Sequence, residues 1–308
     1  MPGDSAWSLS WNVVRDIQEM WSLPSMVNAY RAGTIIAVTA GVVGWFMVLR
    51  RQSFAGHTIS LAGFPGAAGA VLLGIASGYG YFGFCVAAAL VIAYGTRPGK
   101  REPAHESALT GVVQAFALAC GMLFVSLYGG FLNQVDNLLF GSILGITDGD
   151  VIVLAAVAVA VLGVMAAIGR PLLFASVDPD VAQARGVPVR LLGAVFLVLL
   201  GAATAEVSQI TGSLLVFALL VMPAATAQII TARPALSLLL TVLIGLVVTW
   251  VGFAFAFFTI YPIGFYITTF AFGAYVLAYL LRGLGPALAG RLTRPRATTD
   301  PGKAVSAA

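Results

Sequence analysis

An all-α, polytopic membrane fold is what this 308-residue sequence predicts, and three observations predict it. Hydrophobic residues make up 60% of the chain and charged residues only 9%, against about 25% charged in soluble domains. The mean hydropathy is +0.98. The apolar residues also fall in runs of about 20, the helical length that crosses a hydrocarbon core in which the backbone must satisfy its own hydrogen bonds. Nine such runs lie near 31–50, 56–77, 80–96, 107–128, 151–169, 189–206, 212–231, 235–258 and 264–282, and eight crossings is the alternative count. The chain therefore divides into an N-terminal segment over 1–25, a transmembrane domain over 26–282 and a tail over 283–308.

In chain order, Trp7, Trp11, Val14, Ile17 and Trp21 fall on one side of a helix with Arg15, Asp16 and Glu19 elsewhere. That pattern suits a helix lying in the lipid headgroups, outside the cell, rather than crossing. No basic start with an apolar core marks a signal peptide, so the first run serves as its own insertion signal. Residues 138–147, LLFGSILGIT, are too short to cross and suit a surface or re-entrant piece. With nine crossings, one side of the membrane receives 14 of the 16 Lys and Arg residues. That side is the cytoplasm by the positive-inside rule. The opposite side keeps Arg15 and Arg31 against seven Asp and Glu residues, a field that favours approaching cations. Beyond the last run, Pro286, Pro295 and Pro301 among scattered arginines predict a flexible cytoplasmic tail.

Within the runs, Gly66, Ala70 and Gly74 recur every four positions and permit close helix approach. Pro65 and Pro223 each remove a backbone hydrogen bond inside an apolar run, the kind of break that lines transport paths or merely kinks a span. Cys85 and Cys120 both fall in apolar runs and read as small buried hydrophobes.

Groups suited to enzyme chemistry are few. No nucleophile has a base at motif spacing, and no His, Cys, Asp or Glu cluster has metal-ligand spacing. GTRPGKR at 95–101 lacks the spacing and the hydroxyl residue of a phosphate loop, and reads as a basic turn. No carboxylate stands at the centre of a run; Glu206 comes nearest, at the outer end of the sixth, within reach of water. His57 follows Arg50 and Arg51 and precedes Pro65. Its imidazole suits a transition-metal ligand or a hydrogen-bonded packing residue.

One polar break carries designed helix ends: FASVDPDVAQARGV, residues 174–187. Asp178 suits the N-cap and Pro179 the first helical position, Asp180 suits the positive dipole end and Arg185 the negative, and Gly186 before Pro188 stops the turn. A docking element and a solvated connector both fit.

Three segments, VLRRQSFAGHTISLAGFPGAA, FASVDPDVAQARGVPVRLLG and QITGSLLVFALLVMPAATAQ, resemble in order and spacing those of the metal-ion permease family of ATP-binding-cassette importers, which take up zinc, manganese or iron(II). The resemblance covers roughly residues 26–282. It implies a homodimer in the lipid of a bacterial cytoplasmic membrane, a cytoplasmic ATP-binding-cassette ATPase and an extracytoplasmic metal-binding protein. No nucleic acid and no permanent cofactor are implied: zinc or manganese is cargo, and ATP hydrolysis resides in the partner, so this chain is a transport subunit and not an enzyme. The resemblance further implies that Ser176, Asp178, Pro179, Asp180, Arg185 and Gly186 belong to the segment that couples ATPase to membrane domain. Many members carry Asp and, four residues later, His after the double arginine, a pair resembling a transient metal site. His57 and Leu61 occupy those positions here, and Pro262-Ile263-Gly264 stands for the family's Pro-Ser/Thr-Gly.

The expected function is a permease for a divalent transition metal, with His57 as ligand and Pro65, Glu206 and Pro223 along the pathway or at its hinges. An importer of a metal chelate or cobalamin-like molecule is the alternative, since Leu61 removes a ligand. A gradient-driven carrier calls for a buried carboxylate, and an intramembrane enzyme for two polar groups at one depth.

Overall fold

A computed structural model describes residues 20–95, 103–128, 145–213, 216–259 and 261–292. The elements are α1 (Pro24–Leu49), α2 (Ser53–Leu72), α3 (Ser77–Gly95), α4 (Pro103–Tyr128), α5 (Asp148–Val177), α6 (Pro179–Ala184), α7 (Val189–Thr211), α8 (Val216–Ile230), α9 (Pro234–Phe257) and α10 (Ile263–Leu292). Among the described residues there is no strand. Local chemistry sets several starts. Pro24, Pro179 and Pro234 open α1, α6 and α9, where the missing N–H costs nothing. At α5, Thr147 and Asp150 bond each other's backbone in a capping box.

Among the described residues, seven helices are long and apolar enough to cross a membrane: α1, α3, α4, α5, α7, α9 and α10. The other two of the nine expected runs form helices of a different kind. Helix α2 has 20 residues, of which 14 are buried. A helix wrapped in protein needs no lipid-like surface, which is why it carries Ser, Thr, His and four glycines. Helix α8 has 15 residues, about 22 Å at 1.5 Å per residue and short of a core about 30 Å thick.

The core gathers around α1, α2, α7 and α8. Protein buries 67% of the apolar window of α1 and of α7, but 17% of that of α4 and 22% of that of α5. Helix α2 packs on α3 and α4, α3 on α7, and α1 on α9, α8 and α5. Lipid tails are as apolar as leucine, so packing depends on close approach and hydrogen bonds. Gly66 and Gly80 bring the backbones of α2 and α3 together, and Gly44 lies against the Leu220 carbonyl of α8. Trp45 Nε1 donates to Ser237 Oγ at 2.9 Å, fastening α1 to α9. Gln228 Nε2 donates to the Trp45 carbonyl at 3.2 Å.

Several boundaries differ from the expectations. Helix α5 continues through Pro171 to Val177 for 30 residues, so 174–177 belong to it and not to the polar break. Helix α10 runs to Leu292, into the expected tail. Gly74 leaves the small-residue stripe, because it lies past α2 in a turn at φ 70°. The expected headgroup helix before residue 20, most of the piece at 138–147, the basic turn at 96–101 and the tail beyond 292 lie outside the described residues.

The basic side chains cluster. Arg50 bonds Ser176, joining the end of α1 to the end of α5, and Arg282 reaches the Ile229 carbonyl at the end of α8. With Arg51, Arg185, Arg190 and Arg233 at adjoining helix ends, one end of the bundle is an arginine end. Arg31 in α1 and the Asp148–Asp150 start of α5 belong to the other.

Candidate functional site

At the arginine end, the cap signals produce the helix they predict. Asp178 stands between α5 and α6 with an extended backbone, and its carboxylate accepts the Val181 N–H at 3.0 Å. Pro179 and Asp180 fill the first turn, Arg185 follows the last residue, and Gly186 has φ 81°, a left-handed turn that glycine adopts without strain. Ala182 anchors α6 with no exposure, whereas Val177 and Val181 are 72% and 44% exposed. The two valines beside this polar turn make a small exposed apolar surface at this end.

Arg50 ties this surface to the bundle. Its Nη1 donates to Ser176 Oγ at 3.2 Å and its Nε to Gln52 Oε1 at 3.2 Å. Its guanidinium also stacks on Phe196 of α7, 5.4 Å from the ring centre. Ser176 in turn donates to the Leu172 carbonyl. A single cation thus touches α1, α5 and α7 where α6 attaches. Next to it, Arg51 has φ 59°, the one positive φ outside glycine among the described residues, so the α1–α2 corner is a constrained turn.

Deeper in the bundle, His57 and Glu206 lack such pairing. His57 of α2 is half-buried, and its Nδ1 is buried without a hydrogen-bond partner. Its ring meets Phe217 of α8 edge-on at 5.0 Å. Gly56 lies against the Met47 sulfur, which sets His57 level with Met47, one turn from Arg50. Leu61, one turn farther, is buried. Pro65 and Pro223 sit inside continuous helices rather than at breaks; each still withholds one N–H from the preceding turn.

Glu206 departs furthest from expectation. Water was expected to reach it, yet its exposure is 0%. Both carboxylate oxygens lack a hydrogen-bond partner. The Thr39 hydroxyl of α1 faces it, but donates its proton to the Ile35 carbonyl at 3.0 Å. Thr39 lies eight residues before Met47, so Glu206 and His57 stand at levels about 12 Å apart along α1. The structure therefore brings His57 to α8 and Glu206 to α1, at two depths.

Among the described residues, no group of three or more His, Cys, Asp or Glu could hold a metal ion. The sequence reading passed over Arg50, Thr39, Gln209 and Ser213. For Arg50 a signal existed, since two arginines at a helix corner need partners; the other three are neutral residues whose only sign is polarity inside an apolar run.

The model of the ABC 3 transport family matches residues 22–282. Manganese transport system membrane protein MntC of Halalkalibacterium halodurans is 29% identical over 245 residues, covering 80% of this chain and 83% of that protein. Chelated iron transport system membrane protein YfeC of Yersinia pestis is 30% identical, covering 83% of this chain and 78% of its own length. The solved structure of PsaBC from Streptococcus pneumoniae in complex with Fab superposes with a TM-score of 0.76 at 26% identity, covering 87% of this chain and 95% of that one.

Proposed function

This chain belongs to the ABC 3 transport family, and we propose that it is the multi-pass permease subunit of an ATP-binding-cassette importer for a divalent transition metal. The family match across the whole helical bundle carries this reading. Manganese is the cargo it favours, with zinc and iron(II) in the same class, because relatives are named for manganese and chelated iron. ATP hydrolysis belongs to a separate cytoplasmic ATPase, and an extracytoplasmic metal-binding protein presents the ion. Two copies of this chain form the path, in the lipid of a bacterial cytoplasmic membrane.

The arginine end faces the cytoplasm by the positive-inside rule, which puts the N-terminus outside and the C-terminus inside. On this reading α2 and α8 complete nine crossings from within the protein. Helix α6 is the coupling helix: Asp178 and Pro179 set its start, Gly186 its end, and Val177 and Val181 meet the ATPase. Ser176, through Arg50, passes the motion to α1 and the α2 corner. Alternating access then rocks the helices around a path beside His57 and Glu206, with Pro65 and Pro223 as hinges.

A chelate importer is the second reading, favoured by Leu61, an apolar side chain where a second ligand is expected. Reconstitution of the chain with its ATPase and delivery protein into vesicles decides between them. The expected result is ATP-dependent uptake of free manganese(II). Uptake driven by an ion gradient without ATP, or of a chelate alone, contradicts it.

A further inference from the structure

The far half of α7 is unusually polar for a span. Thr204, Glu206, Ser208, Gln209 and Thr211 lie in it, and Ser213 just beyond. Three of these satisfy themselves on their own helix: Thr204 donates to the Leu200 carbonyl at 2.6 Å, Ser208 to that of Thr204 at 2.8 Å, and Thr211 to that of Val207 at 3.1 Å. The other three do not. Both oxygens of Glu206, Nε2 of Gln209 and Oγ of Ser213 are buried without a hydrogen-bond partner. Glu206 and Gln209, three residues apart, share a face of α7, and Ser213 follows just past the helix end at Gly212. Glu206 and Ser213 are each 0% exposed.

Packing does not account for such a row. An unpaired buried carboxylate costs several kcal/mol unless a proton or a cation neutralises it. A stripe of self-bonded hydroxyls would be the cheap way to fill this face, and the neighbouring Thr204, Ser208 and Thr211 are built that way.

We infer that Glu206, Gln209 and Ser213 form an oxygen-donor station that a divalent cation occupies in transit. This inference rests on the importer reading and deepens it. The carboxylate supplies charge. The Gln209 amide, turned about its last bond, and the Ser213 hydroxyl supply neutral oxygens that replace part of the hydration shell. The Thr39 hydroxyl keeps a lone pair free on the α1 side. Oxygen donors without thiolate or imidazole suit harder ions of the manganese(II) type better than zinc. A single carboxylate also suits passage, since a conducted ion must be able to leave. The station lies about 12 Å along α1 from the imidazole of His57, which makes the two groups successive contacts rather than one site.

The test uses the complete importer in proteoliposomes. Initial uptake of radiolabelled manganese(II) and zinc(II) is measured in parallel, with ATP hydrolysis on the same vesicles. Glu206→Gln, which removes the charge at equal volume, is expected to lower manganese uptake by roughly tenfold. It lowers zinc uptake by less and retains ATP hydrolysis. Glu206→Asp restores part of the manganese rate. Glu206→Leu, a second variant that fills the same space, loses manganese uptake while staying monodisperse. Wild-type manganese rates in Glu206→Gln overturn the station, and so does an equal loss of both metals, which is what a packing defect gives. If the wild type carries neither metal, the importer reading itself fails, and the inference with it.

Discussion

Polar groups at the arginine end are paired, and three at the far end of α7 are not. Arg50 bonds Ser176 and Gln52 and stacks on Phe196; the Asp178 carboxylate caps α6. About 15 Å to 20 Å along α7 from Phe196 by helix rise, the oxygens of Glu206 and Nε2 of Gln209, with Oγ of Ser213 just past the helix end, are buried without a hydrogen-bond partner. The difference separates two jobs. A paired group spends its hydrogen-bonding capacity on the fold and transmits displacement. An unpaired buried group lowers stability and is kept for something the folded chain lacks. The same contrast runs along α7, where the self-bonded hydroxyls of Thr204, Ser208 and Thr211 alternate with the unbonded Glu206 carboxylate and Gln209 amide nitrogen.

Opposite signs in stability are the sharpest way to break this contrast. Arg50→Ala removes a charged hydrogen bond and a stacked ring contact, at about 2 kcal/mol, and lowers the thermal midpoint in detergent. Glu206→Leu replaces a buried unpaired group with one of similar volume and stabilises by about 1 kcal/mol or more. Its midpoint therefore rises by about 2–4 °C while manganese uptake is lost; a fall in the midpoint means that Glu206 has a partner after all. Asp178→Ala strips the cap from α6 at about 1 kcal/mol, and ATP turnover stimulated by the delivery protein drops with it, read as phosphate release. The smallest effect belongs to His57→Phe. It keeps the ring against Phe217 and discards an unbonded nitrogen, so the midpoint moves by no more than about 0.5 kcal/mol equivalent and only uptake changes.

The sequence was most legible where chemistry is local. Helix ends at Asp178, Pro179 and Gly186 announce themselves within ten residues, because caps and left-handed turns are decided by immediate neighbours. Long apolar runs likewise mark α1, α3 to α5, α7, α9 and α10 as spans, since lipid dictates their composition. What stayed hidden depends on the helices that surround a residue. Helix α2 looks like any other run until its burial by α3, α4 and α7 explains its glycines and hydroxyls. Glu206 looked wet because it sits near a run's end; Thr39, 167 positions earlier in the chain, is what shows it to be enclosed. The run expected to end near 169 continues through Pro171 to Val177, because a proline in a membrane helix withholds one N–H without ending the helix.

Transport stoichiometry, the ratio of ATP hydrolysed to metal imported, tests the division of labour most directly. Measured on one preparation of vesicles, Asp178→Ala is expected to lower ATP turnover and uptake together, because the push no longer reaches α6 in register. Glu206→Gln is expected to raise the ratio by roughly tenfold, hydrolysing ATP while moving about a tenth of the manganese. Equal ratios in the two variants contradict the assignment of force to the paired end and cargo to the unpaired interior.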